Sequence, residues 1–317
     1  MAAVGSYDKL DYSLRPSKQV ERKLFIETFH RLAQLGYPLS DYSYLGFGSV
    51  SYIDFILFHK YLFIDKMRCV EHGPIPRRMR FNKPFSCIKL RMQPMSSVIP
   101  TISRSKPHLV WLDYDYGLNS TILEDIDSCI RALSQKSILI ITVDAERRLP
   151  DGTKLRNDED DAELRRYFWK ELGSLLSKQL SDTDVERRVL PKLFARTIRT
   201  QVQKSLLSRP EATFHQLFNY QYDDGSQMLT IGGIIDRKEA AGELRDSGIY
   251  DLAHIRRGEA PLLISVPPLT TREKQWLDRY IHYPQRHQAI PFELRREHFL
   301  NYKRYYRHYP VYHEALI

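Results

Sequence analysis

Apolar positions first recur at helical spacing. Leu24, Phe25, Phe29 and Leu32 repeat through residues 16–35, and Gly36 and Pro38 close the pattern, so the spacing predicts a helix. The run YSYLGF reads as a short strand leading into Gly46 and Gly48. SYIDFILFHKYL is apolar nearly all round, which predicts a buried helix. MRCVE, FSCIKL and HLVWLDYD are three further strands, with a basic loop, PIPRRMRFNKP, before FSCIKL. ILEDIDSCIRAL sets Ile122, Ile126, Cys129 and Leu133 on one face of an amphipathic helix. SILIITVDA is the continuous apolar run of a parallel strand covered on both sides. Strands alternating with helices predict an α/β fold, a doubly wound and mostly parallel sheet.

The pattern changes near Leu149. LPDGTKLRNDEDD is polar and turn-rich, and two helical stretches over 161–180 and 184–207 read as an insertion on the sheet. In FNYQYDDGSQMLTIGG, two β-rich runs flank Asp224 and Gly225, which suit an antiparallel hairpin. The tail adds one apolar run, PLLISV, and two helices, in TTREKQWLDRYI and ELRREHFLNYKRYY. The expected organisation is an N-terminal helical segment (1–40), a sheet core (41–148 and 211–240), a helical insertion (149–210) and a C-terminal extension (241–317).

The chain has 317 residues, 42% apolar and 27% charged, enough for one large α/β domain with additions or two smaller domains. No apolar run is long enough to cross a bilayer. The start, MAAVGSYDKLDYSLRPS, lacks the apolar block of a signal peptide, so the expectation is a cytoplasmic protein without a membrane partner. Cys69, Cys87 and Cys129 have no CxxC spacing and sit in apolar stretches, which predicts buried, inert thiols and no metal site. His59, inside an apolar helix, reads as a buried, satisfied histidine.

The first candidate site is the bend Gly46-Phe47-Gly48-Ser49. A strand turning into a helix through glycines lets backbone approach a ligand, and the helix start offers unpaired N–H groups. Glu71 ends the next strand, where a carboxylate can accept both hydrogen bonds of a ribose diol. Together they suit an adenosine-containing cofactor. A plain glycine turn with a chance acid is the competing reading. The third glycine of a dinucleotide fingerprint would fall at Ser51, which disfavours a nicotinamide cofactor. The late hairpin favours S-adenosylmethionine instead, because a sheet ending in an antiparallel hairpin is the methyltransferase arrangement. The second candidate site is DYDY, at the carboxyl end of the fourth strand. There Asp113 can touch the methionine part or the acceptor, and Asp115 can act as general base or hold a metal. Asp144, ending the fifth strand, can join them. Solvated strand-end acids are the alternative.

The ordered set YLGFGS, MRCVE, MSSVIP, VWLDYD, ITVDA and the late hairpin resembles Rossmann-like, S-adenosylmethionine-dependent methyltransferases. LRPSKQVER, GFGSVSYIDFILFHK and FNKPF are similar to a bacterial group labelled O-methyltransferase, some of whose members lie near defence genes. The resemblance implies a methyl transfer to an oxygen or nitrogen, with a role in antiviral defence as an expectation. It implies cofactor roles for Gly46, Gly48, Ser49 and Glu71, with His72 flanking the adenine and Gln93 to Ser96 near its edge. Tyr44 stands where an acid commonly precedes the glycines, which leaves Arg15, Lys18 or Asp54 to meet the methionine end. The Asp-Asn pair of metal-dependent members is Asp144-Ala145 here, so no magnesium site is expected.

The net charge of +9 favours anionic partners. Arg77, Arg78, Arg80 and Lys83 crowd one loop, and Arg187, Arg188, Lys192, Arg196, Arg199 and Lys204 line a predicted helix. The tail from Arg286 to His308 interleaves basic residues with tyrosines. Such patches can grip phosphates and stack bases, although solvated helix faces and packed tyrosines are the blander account. The acceptor is therefore a small molecule or a nucleic acid, and the insertion and tail would shape its pocket or a homodimer contact. A non-catalytic cofactor-binding scaffold of a defence complex is the rival from another class.

Overall fold

The computed structural model describes residues 15–149, 151–155, 161–282 and 290–310. Residues 1–14, 156–160 and Arg286, which the sequence reading included, lie outside them. The elements run α1 (Pro16–Gln34), β1 (Ser43–Phe47), α2 (Ile53–Leu62), β2 (Lys66–Glu71), α3 (Pro76–Phe81), β3 (Ile88–Met92), α4 (Met95–Val98), β4 (His108–Gly117), α5 (Ser120–Ala132) and β5 (Ser137–Asp144). They continue with α6 (Asp161–Leu172), α7 (Leu190–Leu206), β6 (Ala212–Asp223), β7 (Gln227–Arg237), α8 (Ala240–Asp246), β8 (Leu262–Ile264), α9 (Thr271–Tyr280) and α10 (Arg296–Tyr305).

All eight strands form one sheet in the order β3-β2-β1-β4-β5-β7-β6-β8. Only β7 runs against its neighbours, pairing antiparallel with β5 and β6, and β8 of the tail adds parallel to β6. Chain order reverses between β1 and β4, which is where open α/β sheets form a ligand crevice at their carboxyl ends. Side-chain alternation divides the core. Leu109 and Trp111 of β4 face α1 and α2, while Val110 and Leu112 face α5 and α7. β5 is buried at every position, as its continuous apolar run predicted.

Several predictions of local structure need correction. The basic loop contains the short helix α3, started by Pro76. The helix predicted over 161–180 ends at Leu172, and the one over 184–207 begins at Leu190, where Pro191 occupies the first turn. α2 is not fully buried: Phe55, Phe58 and Leu62 face the core, and Tyr61 is exposed. Among the described residues no helix is long and apolar enough to cross a membrane.

Candidate active site

β1 and β2 are parallel neighbours, with Phe47 opposite Val70. The ladder continues past the strand end, because Gly48 N donates to the Val70 carbonyl at 2.8 Å. The bend and Glu71 are therefore side by side at the carboxyl edge, as the adenosyl reading requires. The glycines also have a packing role. A Cβ on Gly46 would lie 2.3 Å from the Tyr44 hydroxyl, and one on Gly48 would lie 2.3 Å from Cys69 Sγ. Their missing side chains make room for the protein's own core. Burial pushes the Cys69 thiol up to about 12, so it is an inert filler.

Glu71 Oε1 accepts the N–H groups of His72 (2.8 Å) and Gly73 (2.9 Å). These bonds fix the carboxylate and occupy one oxygen. Among the described residues nothing bonds Oε2, so a diol meets one available oxygen rather than two. His72 is exposed beside it. Met92 pairs with Glu71 across β2 and β3, which sets the exposed Gln93 and Ser96 along the same lip. Ser49 Oγ accepts from Ser51 N at 3.3 Å within the bend. Phe47 is half-buried, packing edge-on against Tyr114 at 4.9 Å.

The acids of the second site fare unequally. Asp113 Oδ1 accepts from Lys18 Nζ at 2.7 Å. Past Asp113 the β4–β5 register shifts, and Asp115 stands exposed on the outer lip. Asp144 is buried and committed: Oδ1 accepts from Glu146 N at 2.7 Å, while Oδ2 accepts from Ser226 Oγ at 2.9 Å and Arg148 Nε at 3.0 Å. The structure gives Asp144 the task of pinning the loop after β5 to the β6–β7 turn.

The first turn of α1 supplies what spacing did not reveal. Lys18 is fully buried, bridging Asp113 and Glu21 Oε2 (3.0 Å), with its ammonium 4.3 Å from the Trp111 ring centroid. Glu21 also accepts from Thr230 and Tyr222. Thr230 continues to Thr142 and the Trp111 indole N–H, so one buried polar chain crosses β4, β5 and β7. Arg22 pairs with Asp54 on α2. Asp224, in the β6–β7 turn, accepts the backbone N–H groups of Ser17 (3.1 Å) and Lys18 (2.9 Å). A carboxylate there caps the helix and complements its dipole. Burial opposes the Arg15 charge, but Tyr222, Asp113 and Asp224 outweigh it and raise its pKa. Lys18 and Asp54 are thus held in ion pairs at the edge of the crevice rather than standing open in it.

Cavities of about 690 and 640 Å³ open at the opposite, amino edge, by Ser134 and Arg209 and by Phe214 and Tyr250. Neither touches the strand-end residues above. At the carboxyl edge, α1 fills the centre with charged side chains and leaves Glu71 partly exposed.

Half of the basic residues of α7 and its approach are paired, while Arg188, Lys192 and Lys204 are exposed. Arg187 meets Glu146 and Asp223, Arg196 meets Glu259, and Arg199 meets Gln216. In the tail, Tyr302, Tyr305 and Tyr309 are buried, and their hydroxyls donate to Asp278, Leu263 O and Pro267 O. Burial works against the Glu146 charge, yet Arg187 and Lys154 bring its pKa down to about 2. A depressed carboxyl contributes stability above its unfolded value near 4.5 and loses it as pH falls toward 2. Both cations are substantially exposed, so screening reduces the gain to about 1–2 kcal/mol. Urea titrations at pH 7 and pH 3 should show Glu146→Gln losing that much less stability than the parent. Equal losses would remove the assignment.

A family model described as "Putative O-methyltransferase" matches residues 10–317. Among curated proteins none matches. Similar solved structures include the N-methyltransferase NodS from Bradyrhizobium japonicum WM9, with 13% identity, 67% of this chain and 97% of that chain covered, and a TM-score of 0.35. Trm1 from Pyrococcus horikoshii, solved with S-adenosyl-L-methionine, has 11% identity, coverage of 71% and 56%, and a TM-score of 0.44. The O-methyltransferase TomG from Streptomyces achromogenes has 13% identity, coverage of 71% and 90%, and a TM-score of 0.37.

Proposed function

The chain belongs to this family of O-methyltransferases, and on that footing we propose that it binds S-adenosylmethionine at the β1–β2 edge and transfers its methyl group to an oxygen or nitrogen. One observation supports the placement: the Gly48–Val70 hydrogen bond sets the bend beside the end of β2, where Glu71 lies. The residues fit an adenosyl group there, since a prearranged carboxylate with one available oxygen matches a ribose hydroxyl. Gln93, Ser96 and His72 line the same lip toward the base.

When bound, S-adenosylmethionine supplies an electrophilic methyl group on a sulfonium. The protein's part is to hold it in line with the acceptor and keep competing nucleophiles away. In this reading Asp113, paired with Lys18, lies on the reacting side, and the exposed Asp115 takes the acceptor's proton. Asp144 acts indirectly, by fixing the loop that borders them.

Calorimetry with S-adenosylmethionine, S-adenosylhomocysteine and NAD tests this reading. Saturable heat is expected for the first two only. Glu71→Ala should weaken binding by about 1–3 kcal/mol, the usual cost of a lost charge-assisted hydrogen bond. Unchanged affinity would remove the ribose role. Binding of the cofactor without methyl transfer to any acceptor pool would favour the scaffold reading. A nucleic acid acceptor has one observation in its favour: α3 exposes Arg77, Arg80 and Phe81 just beyond Glu71. Steep loss of RNA or DNA binding with added salt would support it.

A further inference from the structure

Away from that edge, the fold brings one nitrogen, one oxygen and one sulfur donor together. His59 lies in the last turns of α2. Phe63 then adopts a left-handed conformation (φ 57°), and the chain doubles back. Asp65 Oδ1 ends 3.1 Å from His59 Nδ1. Cys87, the residue before β3, sets its Sγ 3.8 Å from the same nitrogen. All three donor atoms lie within 4.8 Å of one another. The thiol and imidazole, expected to be buried, are both partly exposed, and Asp65 is 74% exposed.

A tetrahedral ion with bonds of about 2.0 Å to nitrogen and oxygen and about 2.3 Å to sulfur separates such donors by roughly 3.3–3.6 Å. The observed 3.1 and 3.8 Å bracket that range. Thiolate with imidazole and carboxylate suits zinc-like ions and disfavours magnesium and calcium, which prefer oxygen. The Phe85 ring, 4.3 Å from the imidazole, limits its rotation. Without an ion, Nδ1–H has the Ile64 carbonyl (3.1 Å) and Asp65 as acceptors, so the histidine has a metal-free state as well.

We propose that His59, Asp65 and Cys87 bind a zinc-class divalent cation, with water completing the shell. Binding shifts the imidazole proton from Nδ1 to Nε2 and releases the thiol proton to solvent. It ties the end of α2 to the starts of β2 and β3. These are at the opposite ends of the strands from Glu71, so cofactor affinity should not change.

The test uses the full chain, stripped with a chelator and titrated with Co²⁺ alone. One equivalent should bind saturably, giving tetrahedral visible bands and a near-ultraviolet thiolate-to-cobalt charge-transfer band. Added Zn²⁺ should bleach both. Cys87→Ser should abolish the charge-transfer band, and Asp65→Asn, on an exposed loop, should weaken Co²⁺ binding more than tenfold. Absence of saturable uptake, a charge-transfer band surviving in Cys87→Ser, or unchanged affinity in Asp65→Asn would each overturn the proposal.

Discussion

Lys18→Met should lower the unfolding free energy by about 3–5 kcal/mol, the usual cost of stripping one partner from a buried ion pair. Both Lys18 and Glu21 are fully buried, and Glu21 would keep only neutral donors. Burial already raises the Glu21 pKa, and Lys18 is the strongest group pulling it back. The sign with pH follows from that. The variant's deficit should shrink as pH falls, because a protonated Glu21 no longer needs a counter-charge. Lys18→Met with Glu21→Gln should recover part of the loss, since a neutral pair avoids the desolvation cost while Asp113 still lacks its cation. Urea midpoints for the three proteins decide the matter. A single variant as stable as the parent would mean that the pair adds nothing.

Phe25→Ala should cost a similar amount, about 3–5 kcal/mol, through a different cause. The ring is fully buried, with centroid distances of 4.7 Å to Phe218, 5.2 Å to Trp111 and 5.9 Å to Tyr220. Those three residues come from β6 and β4, so the ring is what seats α1 on the sheet. Removing it leaves a cavity walled by rigid aromatics that cannot collapse inward. This deficit should be the same at pH 5 and pH 8, in contrast to Lys18→Met. A loss below 1 kcal/mol would show that α1 is seated by its polar first turn.

The sequence disclosed those features whose partners are near in chain order. β5 is legible because a parallel strand covered on both faces is apolar throughout, β1 to β4 because short apolar runs end at turn residues or charges, and Gly48 and Glu71 meet because β1 and β2 are adjacent. The hairpin was legible at its turn but not at its full length. The first half of β6, Ala212–Leu217, mixes buried and half-buried positions and carries no strict alternation. β8 could not be assigned to the sheet, since a three-residue strand has no periodicity of its own. The hidden parts of the site are long-range. Lys18 finds Asp113 across 95 positions and Ser17 finds Asp224 across 207. Cys87 and His59 are 28 apart, so no spacing motif marked them. Asp144 was legible as a strand-end acid, but nothing local showed that Ser226 and Arg148 would engage it.

The cap on α1 has a consequence for how this protein is made. Asp224 emerges from the ribosome some two hundred residues after the two amides it will receive. Until then the start of α1 has no Asp224 acceptor and Glu21 lacks the Thr230 and Tyr222 donors. Vectorial synthesis therefore makes these contacts of α1 available only once the β6–β7 hairpin has been made.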